Sequence, residues 1–214
     1  MNVNKKFEWL NKVLFLEKIN HLKSEETRKY WSNILLVKNI LIKFLIFVLV
    51  GIFVMGLSFI VRQIMIDHHP LKIDDNTGVG FSIGANSNPA IVYLIQAIPC
   101  IITFLIFFFV TNKWIYIGLF VIFFGGLSNI IDRALPLHII LADGKPFSSN
   151  AVVDYIPWFS TTCNLPDIFI TIGAIYTILI LIVTIFITWK KERQTPIAPT
   201  KEQAKKPEST HQLN

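Results

Sequence analysis

Four stretches of this chain carry no charged residue and are long enough to cross a bilayer: Phe44–Val61, Ala90–Val110, Trp114–Ile131 and Ile168–Trp189, of 18, 21, 18 and 22 residues. At a helical rise of about 1.5 Å per residue they reach about 27 to 33 Å, matching a hydrocarbon core of about 30 Å. Lipid offers the backbone no hydrogen-bond partner, so each run must satisfy its own N–H and C=O groups and is predicted to be an α-helix. Composition agrees: 53% hydrophobic residues, 18 of them Phe, and a mean hydropathy of +0.55 are more apolar than a soluble domain with a wetted surface requires. Gly125, Gly126 and Ser128 in the third run predict close helix contacts there.

Basic residues set the expected orientation. Nine Lys/Arg precede the first run, Lys113 separates the second and third, and six follow Trp189, so 16 of 20 fall on one side. The other two connections hold Arg62, Lys72, Arg133 and Lys145 against seven aspartates. The positive-inside bias then places both termini in the cytoplasm and the two longer loops outside. The predicted fold class is an all-α integral membrane protein, a four-transmembrane-helix bundle. Residues 1–43 form an N-terminal extension, 44–189 the membrane domain and 190–214 a tail. Residues 7–22 set Phe7, Leu10, Leu14 and Leu22 among charges, as an interfacial amphipathic helix or a solvated cytoplasmic helix would. The tail is rich in Lys, Pro, Gln and Thr and is expected to be disordered. No signal peptide is expected, because the first apolar run begins only after about 40 residues.

Cys100, within an apolar run, reads as a packing residue, and Cys163 lies in a polar segment. Neither has the spacing of a redox or zinc motif. His68-His69 lacks a third ligand, and no H-E-x-x-H is present, so no metal site is expected.

The unusual chemistry lies in three polar clusters. In the first outer connection, Asn76-Thr-Gly-Val-Gly-Phe-Ser82 alternates Gly78 and Gly80 with apolar residues, either as an extended ribbon approached closely by backbone or as a surface turn. The second is Asn129-Ile-Ile-Asp132-Arg133 at the end of the third run, where Asn129 shares a helical face with both later residues. An Asp–Arg pair there ties a helix end to a neighbour or takes part in catalysis. The third joins Val152-Val-Asp154-Tyr155 to Asn164-Leu-Pro-Asp167 at the start of the fourth run. Pro166 and Asp167 suit a first helical turn, whereas an acid between Val153 and Tyr155 needs a partner. Two carboxylates in a partly dry site share a proton. The charged member can then activate water while the neutral one polarises a carbonyl. Serine-based alternatives fit less well: Gly126-Leu-Ser128 is followed by Asn129 where a rhomboid-like motif has glycine, and the lysines available outside for a Ser–Lys dyad are Lys72 and Lys145.

These blocks resemble those of bacterial lipoprotein signal peptidases (signal peptidase II), four-helix membrane aspartyl proteases, across roughly residues 44–189. Asn76 to Phe81 resembles the family's N-x-G-x-A-F block, Asn129 to Arg133 its G-N-x-x-D-R block, and the last cluster its V-V-D-F and F-N-x-A-D blocks. The resemblance implies cleavage of a prolipoprotein immediately before its diacylglyceryl-modified cysteine. It carries over Asp154 and Asp167 as the catalytic pair, with Asn76, Gly78, Asn129, Asp132, Arg133 and Asn164 binding substrate or orienting that pair. It further adds to the helix bundle a small extracytoplasmic β element, a β-rich cradle in the first outer loop, and implies a mobile flap over 134–150 and no cofactor. Departures are Gly80, Ser128, Cys163 and Pro166 in place of Ala, Gly, Phe and Ala, and Arg62-Gln63 where many members have Asp-Gln. The family's Thr-Lys shortly afterwards is also missing.

The expected protein is thus an aspartic endopeptidase of a bacterial cell membrane, multi-pass, with its active site at the extracytoplasmic face. Its expected partners are prolipoproteins and membrane lipid, with no nucleic acid, and it is expected to be a monomer. The alternative is a small non-enzymatic transporter or assembly factor that uses its aspartates as proton or ion ligands.

Overall fold

The structure, a computed structural model, describes residues 37–68, 72–79, 83–85, 87–135, 137–158 and 161–194. The segment 7–22, His69, Gly80 and Phe81, and the tail beyond 194 lie outside the described residues. Among the described residues, four long helices carry the fold: α1 (Val37–His68), α2 (Pro89–Phe109), α3 (Lys113–Ala134) and α4 (Leu165–Gln194). Four three-residue strands join them: β1 (Asp74–Asn76), β2 (Val152–Asp154), β3 (Ile156–Trp158) and β4 (Thr161–Cys163). Each helix contains a span apolar and long enough to cross a membrane. The protein is a multi-pass membrane protein. Residues 190–194, expected to belong to a disordered tail, instead continue α4 to Gln194. Their Lys, Glu, Arg and Gln are good helix formers, and Lys191 and Arg193 complement the negative helix end.

The helices start where the sequence supplies a cap. Asn88 Oδ1 accepts the Ala90 N–H at 2.9 Å ahead of α2, and Asn112 Oδ1 accepts the Trp114 N–H at 3.0 Å ahead of α3. At the same end of the bundle as Asn112, the Lys43 ammonium donates to the Val110 carbonyl at 2.8 Å, just past the last turn of α2.

Helix α3 is the central element and packs against α1, α2 and α4. Half of its apolar window is buried, against 11–17% for the other three helices, whose exposed Ile, Leu and Phe side chains face outward. Lipid provides no hydrophobic drive between helices, so close packing must hold them together. Gly125 supplies it against α4, where an added Cβ would lie 3.0 Å from the Pro166 carbonyl and 2.9 Å from Ile170 Cγ1. Gly126 does the same against α2, where a Cβ would overlap the buried Cys100 sulfur. Both the close contacts expected at Gly125-Gly126 and the packing role of Cys100 follow.

Two apolar clusters stack along the bundle. The first gathers Val54, Tyr116, Phe120 and Phe124, with Phe47 in an edge contact on Phe120 at 5.1 Å between centroids. The second gathers Ile66, Ile73, Val153 and Tyr155, with Leu137, Ile139, Leu141 and Phe147 packed against it. The second cluster therefore seats the connection between α3 and β2 on the end of the bundle. That connection is closed by an Ile140–Pro146 bridge and tied to β1 by the Ser148 N–H and hydroxyl, both donating to the Asp75 carboxylate.

Strand β1 pairs antiparallel with β2 in the register Asp74–Asp154, Asp75–Val153 and Asn76–Val152. Strands β3 and β4 form a second antiparallel pair. The expected β element is present, but the first connection builds it with a strand nearly eighty residues further on.

Candidate active site

Asp154 ends β2 and Asp167 lies in the first turn of α4. Asn164 and Asn129 link them, and Asn76 adds a further bond to Asp154. Asn76 Nδ2 donates to Asp154 Oδ2 at 3.0 Å, and Asn164 Nδ2 donates to Asp154 Oδ1 at 2.9 Å. Asn164 Nδ2 also donates to Asn129 Oδ1 at 3.0 Å, and Asn129 Nδ2 donates to Asp167 Oδ1 at 2.7 Å.

The direction of each amide is set by backbone. Asn76 Oδ1 accepts the Gly78 N–H at 3.0 Å, which turns its NH₂ toward Asp154. Asn164 Oδ1 accepts the Asp167 N–H at 3.0 Å, the N-cap bond of α4, which turns its NH₂ toward Asp154 and Asn129. Backbone N–H groups can only donate, so the network admits one orientation. Pro166 adds a preset φ in the first turn of α4.

Arg133 organises the surrounding loops. It is 2% exposed, and its guanidinium donates to the carbonyls of Asn76 (3.2 Å), Asn150 (2.7 Å) and Gly78 (2.7 Å) and to Gln96 Oε1 (3.3 Å). The planar five-donor fork suits this spread of acceptors. It joins α2, the segment after β1 and the residue before Ala151. Asn150 itself adopts φ 60°, a left-handed conformation that asparagine tolerates better than most residues.

Asp132 does not pair with Arg133. Consecutive helix residues point in different directions, and Asp132 turns instead to Arg62 of α1, with which it forms an ion pair. Its second oxygen accepts the Val153 N–H at 3.0 Å. The expected Asp–Arg pair at this boundary is therefore two separate ties, one to α1 and β2, the other to the loops.

Electrostatics follow from burial. Asp154 is 1% exposed; burial first and the nearby Asp167 charge second push its carboxyl up to about 7, against the Asn76 and Asn164 hydrogen bonds. Burial pushes the Tyr155 hydroxyl up to about 12, and its oxygen accepts the Leu165 N–H at 3.2 Å. Burial, then the charges of Asp167 and Asp154, push the Cys163 thiol up to about 11, so it stays a neutral thiol and a poor nucleophile. Among the described residues, no group of three or more His, Cys, Asp or Glu side chains is gathered to hold a metal ion.

All eight residues singled out from the sequence, Asn76, Gly78, Asn129, Asp132, Arg133, Asp154, Asn164 and Asp167, meet at this end of the bundle. Arg62, Gln96 and Asn150 join them without having been assigned a role. Gln96, a polar residue inside an uncharged run, carried a signal of its own, since a buried amide in a membrane helix needs a partner.

Fold and site together define a membrane protein whose described residues form a four-helix bundle, with two carboxylates linked through asparagine side chains at one end. The family model for signal peptidase (SPase) II matches residues 10–186, and the chain belongs to that family. The chain is 38% identical over 141 residues to a lipoprotein signal peptidase of Malacoplasma penetrans, covering 64% of this chain and 56% of that relative. It is 35% identical over 178 residues to one of Mycoplasmoides gallisepticum, covering 78% of this chain and 57% of that relative. The chain thus spans just over half the length of these relatives. A solved bacterial membrane enzyme shares the fold at a TM-score of 0.50 and 20% identity, over 72% of this chain and 94% of that one.

Proposed function

We propose that this protein is an aspartic endopeptidase that removes signal peptides from prolipoproteins, cutting before the diacylglyceryl-modified cysteine at the extracytoplasmic face of the membrane. The observation that carries the reading is the asparagine network, which holds Asp154 and Asp167 in one orientation through atoms whose donors and acceptors are all assigned. Membership of the signal peptidase II family and the names of the relatives support the substrate class.

In this reading the pair holds one proton. Asp154, buried at the end of β2, carries it in this reading, while Asp167 sits at the positive end of α4. Asp167 takes a proton from water as the water oxygen bonds to the scissile carbonyl carbon. Asp154 donates its proton toward the carbonyl oxygen. When the C–N bond breaks, the proton held by Asp167 passes to the leaving amine of the lipidated cysteine. The new carboxyl group, losing a proton back to Asp154, restores the starting state. Each buried CH₂ of the substrate's acyl chains adds about 0.8 kcal/mol of membrane affinity, so the lipid holds the substrate at the level of the pair.

The test is cleavage in detergent of one precursor in lipidated and unlipidated forms, with product masses locating the cut. The lipidated form is cut before its cysteine and the other is not. Asp154→Asn and Asp167→Asn each slow cleavage by roughly a hundredfold or more. Equal cleavage of both forms, a cut elsewhere, or near-normal rates in either variant overturns the reading.

A further inference from the structure

Three carboxylates, Asp132, Asp154 and Asp167, gather at the site end of the bundle, and two guanidinium groups, Arg62 and Arg133, lie among them. If the catalytic pair holds one proton, two cations and one proton balance three carboxylates. The other charged groups nearby are the same in every variant compared below. On β1, Asp74 is ion-paired with the exposed Lys72, and Asp75, a further carboxylate, accepts from Ser148 and has Lys145 among the charges near it. Tyr93 of α2 donates to Asn150 Oδ1 at 3.4 Å, and burial pushes Tyr155, between β2 and β3, up to about 12 and Cys163 of β4 up to about 11, so both are neutral near pH 7.

Within this balance Arg62 holds a particular place. Its side chain is 12% exposed and that of Asp132 is 7% exposed, so neither charge is well hydrated. Asp132 uses one oxygen for Arg62 and the other for the Val153 N–H, immediately before Asp154. A small cavity lined by Arg62, Asp132, Ser58 and Ser128 together with the apolar Phe59 and Pro166 lies beside this pair. Removing the guanidinium leaves a buried carboxylate uncompensated, which is far costlier than losing an exposed pair.

We propose that Arg62 is a positioning residue for the reaction: by pairing with Asp132 it anchors the strand that carries Asp154 and keeps the Asp154–Asp167 pair at one proton. The proposal rests on the catalytic role given to that pair above. Arg62 touches no reacting atom. Its effect travels through Asp132 to the Val153 amide and, as charge, to the pair itself.

A charge cycle tests it, using the pH dependence of kcat for cleavage of the lipidated precursor by the full chain in detergent. Arg62→Gln leaves one negative charge in excess and moves both limbs of the profile to higher pH. Asp132→Asn leaves one positive charge in excess and moves them to lower pH. A unit charge about 10 Å away, in a medium of effective dielectric about 20, moves a titration by about one pH unit, and shifts of that size are expected. The double variant removes both charges and returns the limbs to their wild-type positions, although its rate stays lower because Val153 has lost its carboxylate acceptor. Arg62→Lys keeps the charge and the wild-type limbs.

A purely structural role for the pair predicts lowered melting temperatures with superimposable profiles, and that outcome overturns the proposal. So does a double variant whose limbs stay displaced. Should one single variant be too unstable to assay, the other decides: limbs displaced in the stated direction support the proposal, and limbs that coincide with the wild type overturn it. Wild-type protein that fails to cut the lipidated precursor overturns the functional reading itself, whereas wild-type cleavage with coincident profiles removes only the role of Arg62.

Discussion

Asn164 donates to Asp154 Oδ1 at 2.9 Å with the same amide whose oxygen caps α4 by accepting the Asp167 N–H at 3.0 Å. The residue that starts the last helix therefore also aims the carboxylate at the end of β2. Helix geometry and site geometry cannot be changed independently there. Asn164→Ala removes the cap, worth about 1 kcal/mol, and leaves buried acceptors on Asp154 and Asn129 short of a donor, at about 1–3 kcal/mol. We expect a lower melting temperature in detergent and at least a tenfold lower cleavage rate. Asn164→Ser retains the cap and recovers stability but not activity, since its hydroxyl cannot reach both acceptors; recovery of activity by serine would contradict this account.

Stability should depend on pH through Asp154. Its folded-state value of about 7 stands above the ordinary 3.8, so between these values the folded protein keeps a proton that the unfolded chain has released. That proton stabilises the fold fully below about pH 4, and the contribution is lost as pH rises through about 7, by an amount on the order of a few kcal/mol. Melting in detergent across pH 4 to 8 should show this decline. Asp154→Asn, which cannot ionise, should flatten it, and an unchanged slope would show that another group titrates.

Helix contact at Gly125 should tolerate no side chain. Gly125→Leu pushes against the Pro166 carbonyl and Ile170, and overpacking of this kind costs about 1–3 kcal/mol or more. The same substitution at Gly56, where nothing lies within 4 Å of an added Cβ, serves as the control. Loss of melting temperature and activity is expected for the first and little change for the second. Equal effects would mean that the α3–α4 approach does not depend on glycine.

Orientation is testable without the enzyme assay. With 16 of 20 basic residues flanking one side, both termini should be cytoplasmic and Asn150 extracytoplasmic. Reporter fusions after residue 150 and at the C-terminus should report opposite sides of the membrane. A C-terminus on the outer side would place the carboxylate pair on the wrong face for the proposed substrate.

What the sequence determined by itself was whatever depends on short range or on the membrane as solvent. Lipid forces an uncharged run such as Ala90–Val110 to be helical regardless of its neighbours. The cap at Asn164 with Asp167 three residues later is equally local, because an N-cap bond spans one turn. Helix ends were less legible: α1 runs from Val37 to His68, well past the uncharged Phe44–Val61, since charged residues are excluded from the core of the bilayer but not from a helix. Only the tertiary structure decided the partners. Nothing in the order of residues says that Arg62 meets Asp132, 70 positions later, or that Asn76 meets Asp154, 78 positions later. Asp132 and Arg133 are neighbours in the chain, yet the helix turns them apart toward different elements. A buried charge takes whichever partner packing brings within hydrogen-bond reach, and at this site packing is set by α3 lying among the other three helices.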